Sequence, residues 1–239
     1  MYIIPLPFAE NACHYFEAIR HQPFPLLLDS SRPASHFGRY DIAMAAPLAV
    51  ITHKDGVTQV LQDGMTRTTE SDAFDLVGEL QQQLLQDLSA GDLDPAIPFT
   101  GGAAGLFGYD LGRSIEAMPS QANADIAVED MCVGIYPWAV ITDHELRTSY
   151  LVSQLDDPQT QTLVQTLTHP SSVMANTFAL KGDFSSNMSA QEYADKFYRV
   201  IDYIHAGDCY QVCLAQRFSA TYTGTPWFAY QQLRKASPT

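Results

Sequence analysis

One place where residue types and spacing could do chemistry lies near the N-terminus. Leu26-Leu27-Leu28-Asp29-Ser30, followed by Phe37-Gly38-Arg39-Tyr40-Asp41, joins a short apolar run to a turn with a hydroxyl, a cation and two aromatic rings. These are the parts needed to hold an amino acid with an aromatic side chain: rings to wall it, polar groups to fix its charged end. A surface turn with a salt-bridged Arg39 uses the same residues and is their commoner use. A second place is Gly207-Asp208-Cys209-Tyr210-Gln211-Val212-Cys213-Leu214-Ala215-Gln216-Arg217-Phe218. Read as a strand, it sets Gln211, Gln216 and Arg217 among apolar residues, which implies an internal polar network or a ligand cavity, because buried polar groups must be paired. A third is the glycine-rich segment at 101 to 110. It lacks G-K-[ST] and G-x-G-x-x-G and has no strong helix directly after it, so a strand closely approached by another backbone explains it better than a phosphate loop. Asp110 in that segment reads as a buried carboxylate taking backbone or arginine hydrogen bonds.

Other reactive side chains are dispersed. The seven histidines (His14, His21, His36, His53, His144, His169, His205) show no i, i+4 pairing and support neither a metal site nor a catalytic triad. Cys13, Cys132, Cys209 and Cys213 have neither disulfide-framework nor zinc spacing and read as reduced thiols. No nucleophile, acid/base pair or metal set emerges, so no catalytic and no metal-binding residue is expected in this chain.

The elements that must position these residues follow from periodicity. Phe8 to Ile19 reads as an amphipathic helix and Phe24 to Leu28 as a buried strand. Strands follow at Tyr40–Met44 and Leu48–Thr52, with Lys54-Asp55-Gly56 turning a hairpin into Val57–Leu61. Asp72 to Leu88 is helical, its glutamine run a solvated face. Met131–Thr142 and Arg147–Ser153 form a hairpin around Asp143-His144, with Pro137 expected to demote the first strand to an edge or a bulge. Residues 154 to 188 are the best linker candidate. Ser189 and Glu192 then make a capping box for a helix ended by Gly207. A long strand from Cys209 to Tyr222 and a helix opened by Thr225-Pro226 complete the pattern. This order favours α+β with antiparallel pairing.

Composition bounds the whole. The 239 residues are 46% hydrophobic and 17% charged, with 13 Lys plus Arg against 27 Asp plus Glu, a net charge of −14. Such a chain is too apolar for disorder and too acidic for a nucleic-acid binder. Residues 187 to 239 carry five basic and four acidic side chains, +1, and the rest carries −15. That step suggests two modules, 1–186 and 187–239, the second too short to be a finished domain. No signal peptide and no run of about 18 apolar residues occurs, so the expectation is a soluble cytoplasmic protein with no membrane partner.

Three segments together carry a resemblance. Gly207 to Phe218 resembles the start of the chorismate-binding domain of the aminodeoxychorismate synthase component I family. Phe99-Thr100-Gly101-Gly102-Ala103-Ala104-Gly105-Leu106-Phe107-Gly108-Tyr109-Asp110-Leu111-Gly112-Arg113 is similar to that family's glycine-rich strand, and Val133-Gly134-Ile135-Tyr136-Pro137-Trp138-Ala139 to a later one. The sister family, anthranilate synthase component I, shares the layout, but Phe-Gly-Tyr-Asp-Leu-Gly-Arg and Cys-Tyr-Gln-Val lean to the aminodeoxychorismate branch. The resemblance implies an α+β fold, two antiparallel sheets packed as a sandwich with outer helices. It implies amination of chorismate at C4 on the route to p-aminobenzoate and folate, with Mg²⁺ and with ammonia from a glutamine amidotransferase subunit. It implies a pocket for L-tryptophan, carried onto Ser30, Phe37, Gly38, Arg39 and Tyr40. The family's lysine, glutamate and Mg²⁺ carboxylates lie in its C-terminal half, before which this chain stops. The expectation is therefore an incomplete fold that binds no cofactor, meets chorismate only with that other half, and is inactive alone. Cys213 stands where the branch usually has Asn, and a thiol does not replace an amide's donors and acceptor. The alternatives are a non-catalytic tryptophan-binding or scaffold module, and the N-terminal part of an anthranilate synthase component I.

Overall fold

A computed structural model describes residues 1–33, 38–86, 94, 96–119, 126–169 and 177–237. The chain forms two compact units, Met1–Ser172 and Val173–Ala236. The first contains β1 (Tyr2–Leu6), α1 (Cys13–Ile19), β2 (Leu26–Leu28), β3 (Tyr40–Met44), β4 (Ala49–Lys54), β5 (Val57–Gln62), β6 (Met65–Thr69) and α2 (Ala73–Leu84). It continues through β7 (Gly102–Phe107), a 3-10 turn (Tyr109–Ser114), β8 (Met131–Tyr136), β9 (Trp138–Asp143), β10 (Thr148–Ser153) and α3 (Asp157–Thr168). The second contains β11 (Phe178–Ser186), α4 (Ala190–Ala206), β12 (Phe218–Gly224) and α5 (Pro226–Ala236).

The first unit is a sandwich of two antiparallel sheets, ordered β1-β10-β9-β3-β2 and β6-β5-β4-β8-β7. The predicted strand Met131–Thr142 is in fact two, divided at Pro137. Proline has no N–H to continue a ladder, and here the chain passes from one sheet to the other, with the Gln154 N–H donating to the Pro137 carbonyl at 2.8 Å. Neither half is an edge: β8 lies inside its sheet, β9 is the middle of the other, and every residue of β9 is buried. The alternating faces of these strands explain the layers. Tyr136 and Ala104 of the second sheet pack with Met44, Ala139, Ile141 and Val152 of the first. Outside, Ala73, Leu76 and Leu80 of α2 close over Ile51, Val60, Val133 and Ile135, while α1 lies against β3 and α3. The Asp72 carboxylate caps α2 by accepting the N–H groups of Phe74 and Asp75. Fully burying a side chain such as Ile135 or Ile141 stabilises by about 1.5–3 kcal/mol, and both are 0% exposed.

Residues Gly102–Phe107 of the glycine-rich segment form the closely approached strand that its composition suggests, and it lies at the edge of its sheet. A Cβ on Gly105 would lie 2.1 Å from the Cys132 carbonyl oxygen, so β7 can pair closely with β8 only because that position lacks a side chain.

Several expectations need correction. The Leu26–Leu28 run is an edge strand with Leu28 half exposed. Residues 154–188 are no linker, since they contain α3 and β11. The polar composition of α3 reflects one-sided burial, with Thr160 and Leu167 inward. The sequence boundary at 186/187 falls after β11, which pairs with β12 inside the second unit. Residues 209–217 are not extended into the predicted long strand, which begins only at Phe218. The capping box is present as read: Ser189 N–H donates to Glu192 Oε2 at 2.7 Å and Glu192 N–H to Ser189 Oγ at 3.2 Å. Among the described residues, no helix is long and apolar enough to cross a membrane.

Candidate ligand-binding loop beside β3

β3 pairs with β9 so that Tyr40 faces Asp143 and Asp41 faces Thr142. That register brings the loop after β2 against the β9–β10 turn, more than 100 residues away in sequence. Asp41 is the hub. Its Oδ1 accepts the Ser30 N–H at 2.7 Å and the Ser30 hydroxyl at 2.6 Å, and its Oδ2 lies 2.6 Å from His144 Nε2. Both side chains are buried. Ser, Asp and His thus meet, but in the wrong order for a nucleophile. The carboxylate stands between hydroxyl and imidazole, so the base does not reach the serine proton. The single Ser30 proton is committed to Asp41, and toward anything else Ser30 Oγ can only accept.

Arg39 makes the second pairing. Its Nε and Nη2 donate to Asp143 Oδ2 at 3.0 and 2.7 Å, and Glu145 lies 3.4 Å from Nε. Asp143 Oδ1 accepts the N–H groups of Glu145 and Leu146. Burial works to raise the Asp143 pKa, but the Arg39 bond and these N–H groups outweigh it and hold the carboxyl below its ordinary value. The Asp143 hydrogen bond in turn raises the Arg39 pKa. The guanidinium also lies 4.8 Å from the Tyr40 ring centroid. The Tyr40 hydroxyl donates to the Ala96 carbonyl. Gly38 has a φ of 79°, and a Cβ there would stand 2.7 Å from Ser30 Cβ, so only glycine lets the loop close on Ser30.

The structure therefore brings Ser30, Gly38, Arg39 and Tyr40 together; Phe37 lies outside the described residues. The salt-bridged Arg39 is the arrangement seen. Asp143 and His144 are the residues that sequence reasoning missed as part of this cluster, and Asp41, although within the same segment as Arg39, is given no role by sequence alone. Asp143-His144 reads only as a turn, and nothing local names partners so distant. The Gly207–Phe218 segment, in the second unit, is mostly exposed: Gln216 accepts from Ser186 Oγ, and the Arg217 backbone bonds Asn187. No buried network surrounds it among the described residues. Asp110 does bind Arg113, at 2.8 Å, but both are at the surface.

Residues 25–239 match the family model described as chorismate binding enzyme. The chain belongs to that family. It is 43% identical over 237 residues to aminodeoxychorismate synthase component 1 of Klebsiella aerogenes, covering 98% of this chain and 51% of that protein. It is 39% identical to aminodeoxychorismate synthase component 1 of Escherichia coli (strain K12), with the same coverage. Identity to anthranilate synthase component 1 of Synechocystis is 27%, over 94% of this chain and 48% of that one. The chain thus spans about half the length of the curated relatives it matches. The fold of anthranilate synthase component I from Streptococcus pneumoniae TIGR4 matches with a TM-score of 0.66 at 24% identity, covering 86% of this chain and 47% of that one. That likeness agrees with the α+β sandwich expected from sequence.

Proposed function

We propose that this chain is the N-terminal part of an aminodeoxychorismate synthase component I, the subunit that aminates chorismate to 4-amino-4-deoxychorismate for p-aminobenzoate and folate. The carrying observation is the 39–43% identity to relatives of that name across 98% of the chain, against 26–27% to the anthranilate synthases. In this reading the partner is a glutamine amidotransferase subunit, the second component implied by the relatives' name, and the site of action is the cytoplasm. Among the described residues no three of His, Cys, Asp and Glu gather as metal ligands, so the residues present do not fit Mg²⁺ and no step is assigned through it here. Transition-state charge stabilisation needs groups preorganised at the reacting atoms, and the Ser30–Asp41–His144 order supplies neither nucleophile nor base. The chain alone is expected to form no product from chorismate, ammonia and Mg²⁺. Co-expressed with the C-terminal half of a curated relative and an amidotransferase, it should restore growth of a p-aminobenzoate auxotroph. Anthranilate as the product of that assembly overturns the assignment in favour of the sister activity.

A second reading, tryptophan binding at Ser30, Phe37, Gly38, Arg39 and Tyr40, is favoured by the convergence of four of these residues on one loop. Ser30 Oγ presents only lone pairs, which suit the ammonium of the amino acid, while Arg39 is neutralised by Asp143 and is a poor carboxylate clamp. Calorimetry with L-tryptophan should give saturable heat that weakens about tenfold, about 1.4 kcal/mol, in Ser30→Ala. Absence of heat in the native chain removes this reading and leaves a scaffold.

A further inference from the structure

Ser30 is half-buried, whereas the Asp41 and His144 side chains behind it are 3% and 7% exposed. Both donors of Ser30, its N–H and its O–H, share Asp41 Oδ1. An aspartate turns readily about its last side-chain bond, because that torsion is broad. Ser30 alone therefore does not fix which way the carboxylate faces. His144 does, holding Oδ2 at 2.6 Å. An ionised carboxylate only accepts, so Nε2 carries the proton of that bond.

The imidazole is in turn fixed by the loop it serves. The His144 backbone N–H donates to the Arg39 carbonyl at 3.0 Å, and the ring meets the Phe8 ring edge-on, with centroids 6.1 Å apart. The turn that carries it is tied down by the Glu145 and Leu146 N–H groups on Asp143 Oδ1. Without Nε2–H the carboxylate is free to swing and the Ser30 proton is released. Ser30 Oγ can then turn that proton outward and meet an approaching ammonium with a donor, where it had presented lone pairs.

We propose that His144 is a positioning residue that sets the polarity of this loop: through Asp41 it keeps Ser30 Oγ an acceptor, and so makes the site select a ligand bearing an ammonium group over its deaminated analogue. The inference rests on the tryptophan reading of the loop. The Asp41 charge behind the hydroxyl works in the same direction, and Arg39, paired with Asp143, does not oppose it.

The test compares the full 239-residue chain with His144→Phe, which keeps a ring and removes Nε2–H, and with His144→Gln, whose amide restores an N–H. Without ligand, the native ring ¹⁵N resonances should show Nε2 protonated. Ser30 amide exchange should rise about tenfold or more in His144→Phe and return to within about threefold of native in His144→Gln, with the Ile141 and Val152 amides unchanged. In calorimetry, L-tryptophan should weaken about tenfold or more in His144→Phe and indole-3-propionate less than about twofold, while His144→Gln keeps the native preference for the amine. An unprotonated Nε2 in the native chain overturns the proposal whether or not His144→Phe folds, as does a folded His144→Gln that has lost the preference. Unmoved Ser30 exchange overturns it, and so does equal weakening of the two ligands, which indicates a purely structural part. Heat from neither ligand in the native chain removes the tryptophan reading and this inference with it, whereas native heat with an unchanged preference in His144→Phe removes this inference alone.

Discussion

The two units are written with the same local devices and differ in what those devices enclose. α2 begins at an aspartate cap and α4 at a serine–glutamate capping box; β4–β5 is a paired ladder, and so is β11–β12. In the first unit these elements shut around side chains with no exposure. In the second, α4 and α5 bury no residue, and Phe184, Phe197, Phe218 and Leu233 are all more than 45% exposed. Caps, turns and periodicity suffice to specify secondary structure. Stability comes chiefly from apolar burial, and a helix without it rests on propensity and its caps.

The largest effect that could break this contrast is a truncation in each unit. Ile141→Ala empties a position in β9 that has no exposure and should cost about 3–4 kcal/mol in urea unfolding of the first unit. Phe197→Ala on α4, at a side chain 46% exposed, should cost less than about 0.5 kcal/mol. A Phe197→Ala cost equal to that of Ile141→Ala would mean that the apolar stripe of α4 is covered in solution and that the contrast is wrong.

A smaller effect separates buried polar work from surface polar work. Arg39→Ala strands the Asp143 carboxylate, whose side chain is 2% exposed, and should cost about 2 kcal/mol at neutral pH, the two backbone N–H bonds moderating the loss. The pH sign follows from the lowered folded pKa of Asp143. Its stabilisation is fully present above the unfolded carboxyl value of about 3.9 and is lost as pH falls below that toward the folded value. The stability difference between the native chain and Asp143→Asn should therefore be widest above pH ~5 and shrink as acid is added. A difference that stays constant down to pH 3 would sever the link between this ion pair and acid sensitivity.

What was legible divides along the same line. β3, the β4–β5 hairpin, the α4 capping box and the α5 start are readable because each rests on residues within a few positions of one another. Pro137 reads from sequence as an edge or a bulge and not as a crossing between sheets, because that depends on which partners flank β8 and β9. β1 and β6 are not legible, the first largely exposed with Pro5 inside it and the second polar after Met65, so neither carries an alternating signal. The convergence of Ser30 with Arg39 could be suspected from an aromatic-and-arginine turn. Asp41 as hub, with His144 on its other oxygen, could not, since register across distant strands decides it. Gln211 and Gln216 are exposed rather than buried, because the chain there is open and has no strand alternation.

The smallest predicted effect sharpens the comparison most. Ser189→Ala removes one half of the α4 capping box and should cost about 1 kcal/mol, read as roughly fivefold faster amide exchange in the first turn of α4. Glu192 would lose its bond to the Ser189 hydroxyl while keeping the one from its N–H. With no buried residue on α4 to share the loss, exchange in β8 and β9 should not move. Asp72→Ala removes the corresponding cap in the packed unit. There Leu76 and Leu80 tie the helix to β4 and β8, so a similar cost should appear as a lowered unfolding midpoint for the whole first unit rather than as local fraying. If Ser189→Ala instead accelerates exchange across β8 and β9, the units unfold cooperatively, and the separation drawn from burial would be structural but not energetic.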